Sequence, residues 1–175
     1  PGGDVFSALY IARIFRNYTG KIRTIVPLYA MSGGTILSLA TDEIWMLPNA
    51  CLGPVDPQIG SLFKYGSVKS WEQVAKIKGK KADDSTLSFA FMGGQYSKSI
   101  KAFLVDLIKF PMKAGDKKDL VKFITSGDVE HAFPLTPLEL KAFGIPINVI
   151  QDEKYAKKLI RFVARSGSEG VTYIK

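Results

Sequence analysis

Ala30-Met31-Ser32-Gly33-Gly34-Thr35 joins two apolar runs of different character. Before it, Ile22-Arg23-Thr24-Ile25-Val26-Pro27 is β-branched and bounded by Gly20 and Pro27, which reads as a strand. After it, Thr35-Ile36-Leu37-Ser38-Leu39-Ala40 carries no breaker and reads as a helix. A strand must therefore turn into a helix within a few residues, and the residue at the bend is a serine. A tight bend holds such a hydroxyl outward, and the unpartnered N–H groups of the helix start converge beside it. Nucleophile and anion site are the two parts that acyl transfer requires.

The rest of the chain alternates helices and strands. Asp4 caps a helix with apolar positions Val5, Ala8, Leu9, Ala12 and Phe15 at helical spacing. Strands are expected at Glu43–Leu47, Cys51–Val55 and Ile145–Ile150, and a loop at Asp56–Gly60. Helices are expected from Gly66 to about Ile77, Asp84 to Phe110, Asp119 to Ile124, after the Thr136-Pro137-Leu138-Glu139 capping box, and from Tyr155 to Val163. Gly93-Gly94 within the long helix predicts a kink or a close helix contact. This order predicts an α/β fold with crossover units rather than hairpins, as a single domain over residues 1–175.

Composition narrows the chemistry. Of 175 residues, 24 are Lys or Arg and 16 are Asp or Glu, a net charge of +8. The lysines are scattered among acidic and apolar residues, with no basic and aromatic cluster of the kind nucleic acid requires. A nucleic-acid partner is not expected, while attraction to an anionic membrane surface stays open. Cys51 and His131 are the sole cysteine and the sole histidine. No internal disulfide, no metal site rich in these ligands and no mechanism using two histidines is available. No run of about eighteen apolar residues predicts a membrane span.

Two glycine turns, Pro1-Gly2-Gly3 and Ser32-Gly33-Gly34, each precede a helix. With the blocks PGGDVFSALYIARI, IVPLYAMSGGTILSLATDEIWMLPNACLGPVDPQIG, DDSTLSFAFMGGQYSKSIKAFLVDLI and SGDVEHAFPLTPLELKAFGIPI, the chain resembles the serine dehydrogenase proteinase family. That family is related to signal peptide peptidase A and to the Clp protease proteolytic subunit. The resemblance implies a Clp/crotonase-like fold of repeated ββα units, with its first strands before Pro1, in a chain cut from something larger. It implies a cofactor-independent serine peptidase acting on a peptide or protein substrate, assembled as a homo-oligomer. Membrane association through a preceding N-terminal segment is allowed, and the compartment stays open between cytoplasmic and membrane-associated.

Carried onto this sequence, the resemblance implies Ser32 as nucleophile, with Gly33 N–H and Gly2 or Gly3 N–H as the oxyanion hole. The base is left open. A Clp-type histidine would fall near Pro57, where none stands. A Ser–Lys dyad of the signal peptide peptidase type points to Lys69, in the first turn of a helix beside Val68 and Trp71, with Lys64 and Lys76 as alternatives. His131, next to Glu130 and near Asp128, is a further candidate base or a structural histidine. Asp56, in the loop where the Clp-type base belongs, binds the Ser32 turn, orients a base, or forms the turn before Pro57. Two other functions fit such a fold: a crotonase-type acyl-CoA enzyme, and a scaffold of the same fold without a working base.

Overall fold

The computed structural model describes residues 2–61 and 64–169; Pro1 of the first glycine turn, and the end of the expected domain, lie outside the described residues. Helix α1 (Val5–Asn17) starts at Asp4, whose carboxylate accepts from Ser7 N–H at 2.8 Å. Strands β1 (Arg23–Val26) and β2 (Tyr29–Ala30) lead to α2 (Gly33–Leu39), and β3 (Glu43–Met46) and β4 (Cys51–Leu52) follow. Strands β5 (Gln58–Ser61) and β6 (Lys64–Ser67) precede α3 (Val68–Lys78) and α4 (Asp84–Leu107). The chain continues through α5 (Ala114–Thr125), α6 (Pro137–Ala142), β7 (Ile147–Val149) and α7 (Glu153–Glu169).

Two parallel sheets form the frame. One has the order β1-β3-β7, and the other pairs β2 with β4. Parallel neighbours need crossovers, and α2 supplies the one between β1 and β3. The core sits where the sheets meet α2, α4 and α5: Ile36, Leu39, Ile44, Met46, Leu104, Leu107, Leu120 and Ile124 are fully buried. Each such side chain contributes about 1.5–3 kcal/mol of transfer free energy.

Two expectations change. The loop expected at Asp56–Gly60 ends in β5, which pairs antiparallel with β6, so the chain does contain a hairpin. Its strands hold Gly60 and Gly66 and few β-formers, and long-range support such as Trp71 Nε1–H donating to Ile59 O at 2.8 Å holds them. Helix α5 begins at Ala114, five residues before the expected Asp119, because Lys113 provides no side-chain cap to mark the start. Along α4, Phe91, Tyr96 and Phe103 are exposed, while Phe89 lies against Trp71 with ring centroids 5.0 Å apart. Gly93 does make a close helix contact, since a Cβ there would lie 2.7 Å from Val68 Cγ2.

Candidate active site

Strand register brings distant segments to one place. In the small parallel sheet Ala30 lies beside Leu52, and Leu52 exchanges hydrogen bonds with Leu135 (3.0 and 2.8 Å) in an antiparallel bridge. Ser32 follows Ala30 by two residues and Asp56 follows Leu52 by four. His131 precedes Leu135 by four, and the reversed direction carries it to the same end. Ser32, Asp56 and His131 therefore line one cavity of about 510 Å³, together with Gly2, Gly3, Phe6, Tyr65, Tyr96 and Ile100.

The serine is held in an unusual conformation. Among the described residues it is the only non-glycine with positive φ, at φ 48° and ψ −113°. Such a backbone costs on the order of 1–3 kcal/mol and persists only where its surroundings enforce it. Enforcement comes from Thr35, 1% exposed: its hydroxyl lies 2.9 Å from Ala30 O and 2.8 Å from Gly53 O, and accepts from Gly53 N–H at 3.2 Å. That one side chain ties both sides of the bend to β4. Gly34 N–H closes the turn onto Met31 O at 2.8 Å.

Gly33 is the first residue of α2, where an N–H has no partner within its own helix. A Cβ on Gly33 would lie 3.3–3.4 Å from the Gly3 backbone and 3.2 Å from Ala8, so α1 packs directly on the bend. A Cβ on Gly2 would stand 3.0 Å from Met31 O and 3.3 Å from Ser32 Cβ. The two glycine turns are thus in contact because neither carries a side chain, and two helix N-termini face the same cavity.

Asp56 is 4% exposed. One of its oxygens is 2.6 Å from His131 Nδ1, and the other accepts from Gln58 Nε2–H at 2.7 Å. A carboxylate only accepts, so Nδ1 carries the proton of the neutral ring and Nε2 keeps its lone pair. The bond to Asp56 raises the His131 pKa above the usual 6.5, with partial burial opposing it.

Lys69 stands elsewhere. It lines a separate cavity of about 460 Å³, which shares Asp56 and Pro57 with the first but does not include Ser32. Its ammonium is paired with Asp128, and its stem packs over Gly127, where a Cβ would meet Lys69 Cβ at 3.2 Å. Lys64 pairs with Asp83 at 3.7 Å. The sequence leaves the Asp56–His131 contact hidden because 75 residues separate its partners. Asp56 standing near the Clp-type base position is the one signal that pointed to it. Among the described residues no group of three His, Cys, Asp or Glu side chains is arranged to hold a metal ion.

Parallel sheets crossed by helices, with a serine at a strained strand-to-helix bend, define a mixed α/β protein of ClpP-like fold. The chain belongs to the family of ClpP-like SDH-type serine proteinases, whose model matches residues 1–167. Two uncharacterized proteins of Methanocaldococcus jannaschii are similar to it. One is 40% identical over 157 residues, covering 89% of this chain and 54% of the relative. The other is 36% identical over 175 residues, covering 99% of this chain and 58% of the relative. The chain spans a little over half the length of these relatives. Among solved structures it resembles a mutant of the membrane-bound stomatin-specific protease 1510-N. That likeness has a TM-score of 0.57 at 19% identity, covers 90% of this chain and 64% of that one, and is one of fold.

Proposed function

We propose that this chain is the peptidase domain of a serine endopeptidase that cleaves peptide bonds through an acyl-enzyme on Ser32. The observation carrying this reading is that the strained Ser32 shares its cavity with a histidine bonded to a buried carboxylate. In this mechanism Ser32 Oγ attacks the scissile carbonyl and its proton passes to His131 Nε2. Asp56 holds the ring in the required tautomer and stabilises the imidazolium. The oxyanion is received by Gly33 N–H and an N–H of the Gly2-Gly3 turn. His131 then returns the proton to the leaving amine, and water repeats the cycle on the ester.

Lys69 as base is the second reading. It is favoured by the family's relation to signal peptide peptidase A and by the position of Lys69 beside Asp56 in the adjoining cavity. It requires the ammonium to leave Asp128, lose its proton and reach Ser32. A fluorophosphonate probe decides first: the intact protein should be labelled at Ser32 and the Ser32→Ala variant should not. Absence of labelling in the intact protein would leave the crotonase-type enzyme or the inactive scaffold as the better account. Between bases, His131→Ala should lower kcat/KM by about 10⁴ or more, and Lys69→Ala by less than about tenfold. The reverse order would assign the lysine.

Homo-oligomerisation belongs to the same proposal. Large side chains away from the Ser32 cavity, such as Ile14, Ile77, Phe91 and Leu138, are between 54% and 84% exposed and are available to a second copy. Membrane association is proposed by analogy with the membrane-bound protease of similar fold. Among the described residues no helix is long and apolar enough to cross a membrane.

A further inference from the structure

A second hollow adjoins the Ser32 cavity. It runs between α1 and α4, encloses about 210 Å³, and shares Phe6, Tyr96 and Ile100 with the cavity that holds Ser32. Phe6 and Tyr96 meet edge-on, ring centroids 5.6 Å apart, at the junction of the two. Leu9 and Phe103 continue the apolar lining away from the serine. At the far end Arg13 lies over the Phe103 ring, its guanidinium carbon 5.6 Å from the centroid. Among the described residues no carboxylate is paired with Arg13.

An apolar trough that opens into a nucleophile's cavity and ends in an unpaired guanidinium has a defined complement. The ring supports one face of the guanidinium and leaves its N–H edge free to grip a carboxylate in a fork. Phe6 and Arg13 are seven residues apart on α1, about 10 Å along the helix and on the same face. An extended peptide turns alternate side chains to one face, about 6.6 Å apart, and the long glutamate and arginine side chains close the rest of that span. We propose that this groove is a specificity subsite for substrate polypeptide, taking a bulky apolar side chain against Phe6 and Tyr96 and an acidic side chain two residues away against Arg13. The proposal rests on the peptidase reading of Ser32.

Binding is measured on the Ser32→Ala variant of the intact protein, by fluorescence anisotropy of labelled decapeptides acetylated and amidated at their ends. The peptides carry Leu-x-Glu, Glu-x-Leu, and the corresponding lysine versions, with Gly and Ser elsewhere. One glutamate peptide should bind about tenfold or more tightly than its lysine counterpart, and which one it is gives the chain direction. Arg13→Gln should reduce that ratio below about twofold, and Arg13→Glu should invert it. Arg13 is exposed, so these variants retain the fold. Equal binding of glutamate and lysine peptides, or a ranking unmoved by Arg13→Glu, overturns the subsite. Wild-type cleavage of the same peptides separates the two readings. Cleavage without the charge preference sinks the subsite alone, and ranked binding without cleavage or probe labelling sinks the peptidase alone.

Discussion

Ser32 spends folding free energy on its own placement, and the consequence is measurable. Alanine at 32 removes the hydroxyl and keeps the strain, whereas glycine removes both and adds only the entropy of a freer unfolded chain. Strain of about 1–3 kcal/mol against an entropic cost of about 0.5–1 predicts that Ser32→Gly is more stable than Ser32→Ala by about 1 kcal/mol, read from urea unfolding. Both should be inactive. Thr35 carries the restraint on the other side of the bend. Thr35→Val leaves the Gly53 carbonyl without its hydroxyl partner, while Gly53 N–H keeps its bond to Ala30 O at 3.0 Å. The change should cost about 1–3 kcal/mol. It should also lower kcat/KM, because the bend loses that tie to β4.

With His131 as the proposed base, the pH dependence follows from its bond to Asp56. As a general base it works when neutral, and its pKa is raised by Asp56, so kcat/KM should climb with pH through a value above 6.5. The effect on stability has the opposite sense. A raised folded-state pKa stabilises fully below the unfolded value of about 6.5 and is lost as pH rises through the folded one. The excess in Tm of wild type over His131→Gln should therefore shrink as pH rises from about 6.5 through the raised folded-state value. An excess that grew with pH would argue against the charged pair.

At the scale of elements, the adjacent glycines of α4 test how tightly α3 is seated. Both gain about 1 kcal/mol of helix propensity on becoming alanine. At Gly93 the new methyl lies 2.7 and 2.9 Å from the two Val68 methyls and forces α3 away, at a cost of about 1–3 kcal/mol. At Gly94 its nearest neighbour is the carboxylate end of Glu72 at 3.3 Å, which can swing aside. Gly93→Ala should be neutral to destabilising and Gly94→Ala stabilising by up to about 1 kcal/mol, measured by thermal unfolding. Val68 precedes Lys69, so Gly93→Ala is also the variant expected to disturb the Lys69–Asp128 pair.

These elements differ in how openly the sequence declares them. Helices α1 and α6 announce themselves through Asp4 and through the Thr136–Glu139 box, because a cap is a local bond between near neighbours. Helix α5 starts without one and β5 has Ile59 as its one β-former, so both depend on contacts made by distant residues. The same division runs through the site. Ser32 and its glycines lie in a bend that local sequence dictates, whereas Asp56 and His131 meet only through the Leu52–Leu135 bridge.

Outside the groove that ends in Arg13, the whole molecule leaves further aromatic and aliphatic surface uncovered along α1 and α4, including Ile11, Ile14, Leu87 and Phe91. Sedimentation of the intact protein should give a mass above the monomer, and a monodisperse monomer at micromolar concentration would remove the oligomer from the proposal. By itself the amino-acid order determined the α/β alternation, the helix caps, the serine bend and the family, since each is written in residues close along the chain. Which titratable groups share the serine's cavity, that Asp56 is bonded to His131, and where the apolar groove ends in Arg13 were decided only by tertiary structure. Those depend on strand register and helix packing, which join residues tens of positions apart and leave no local mark.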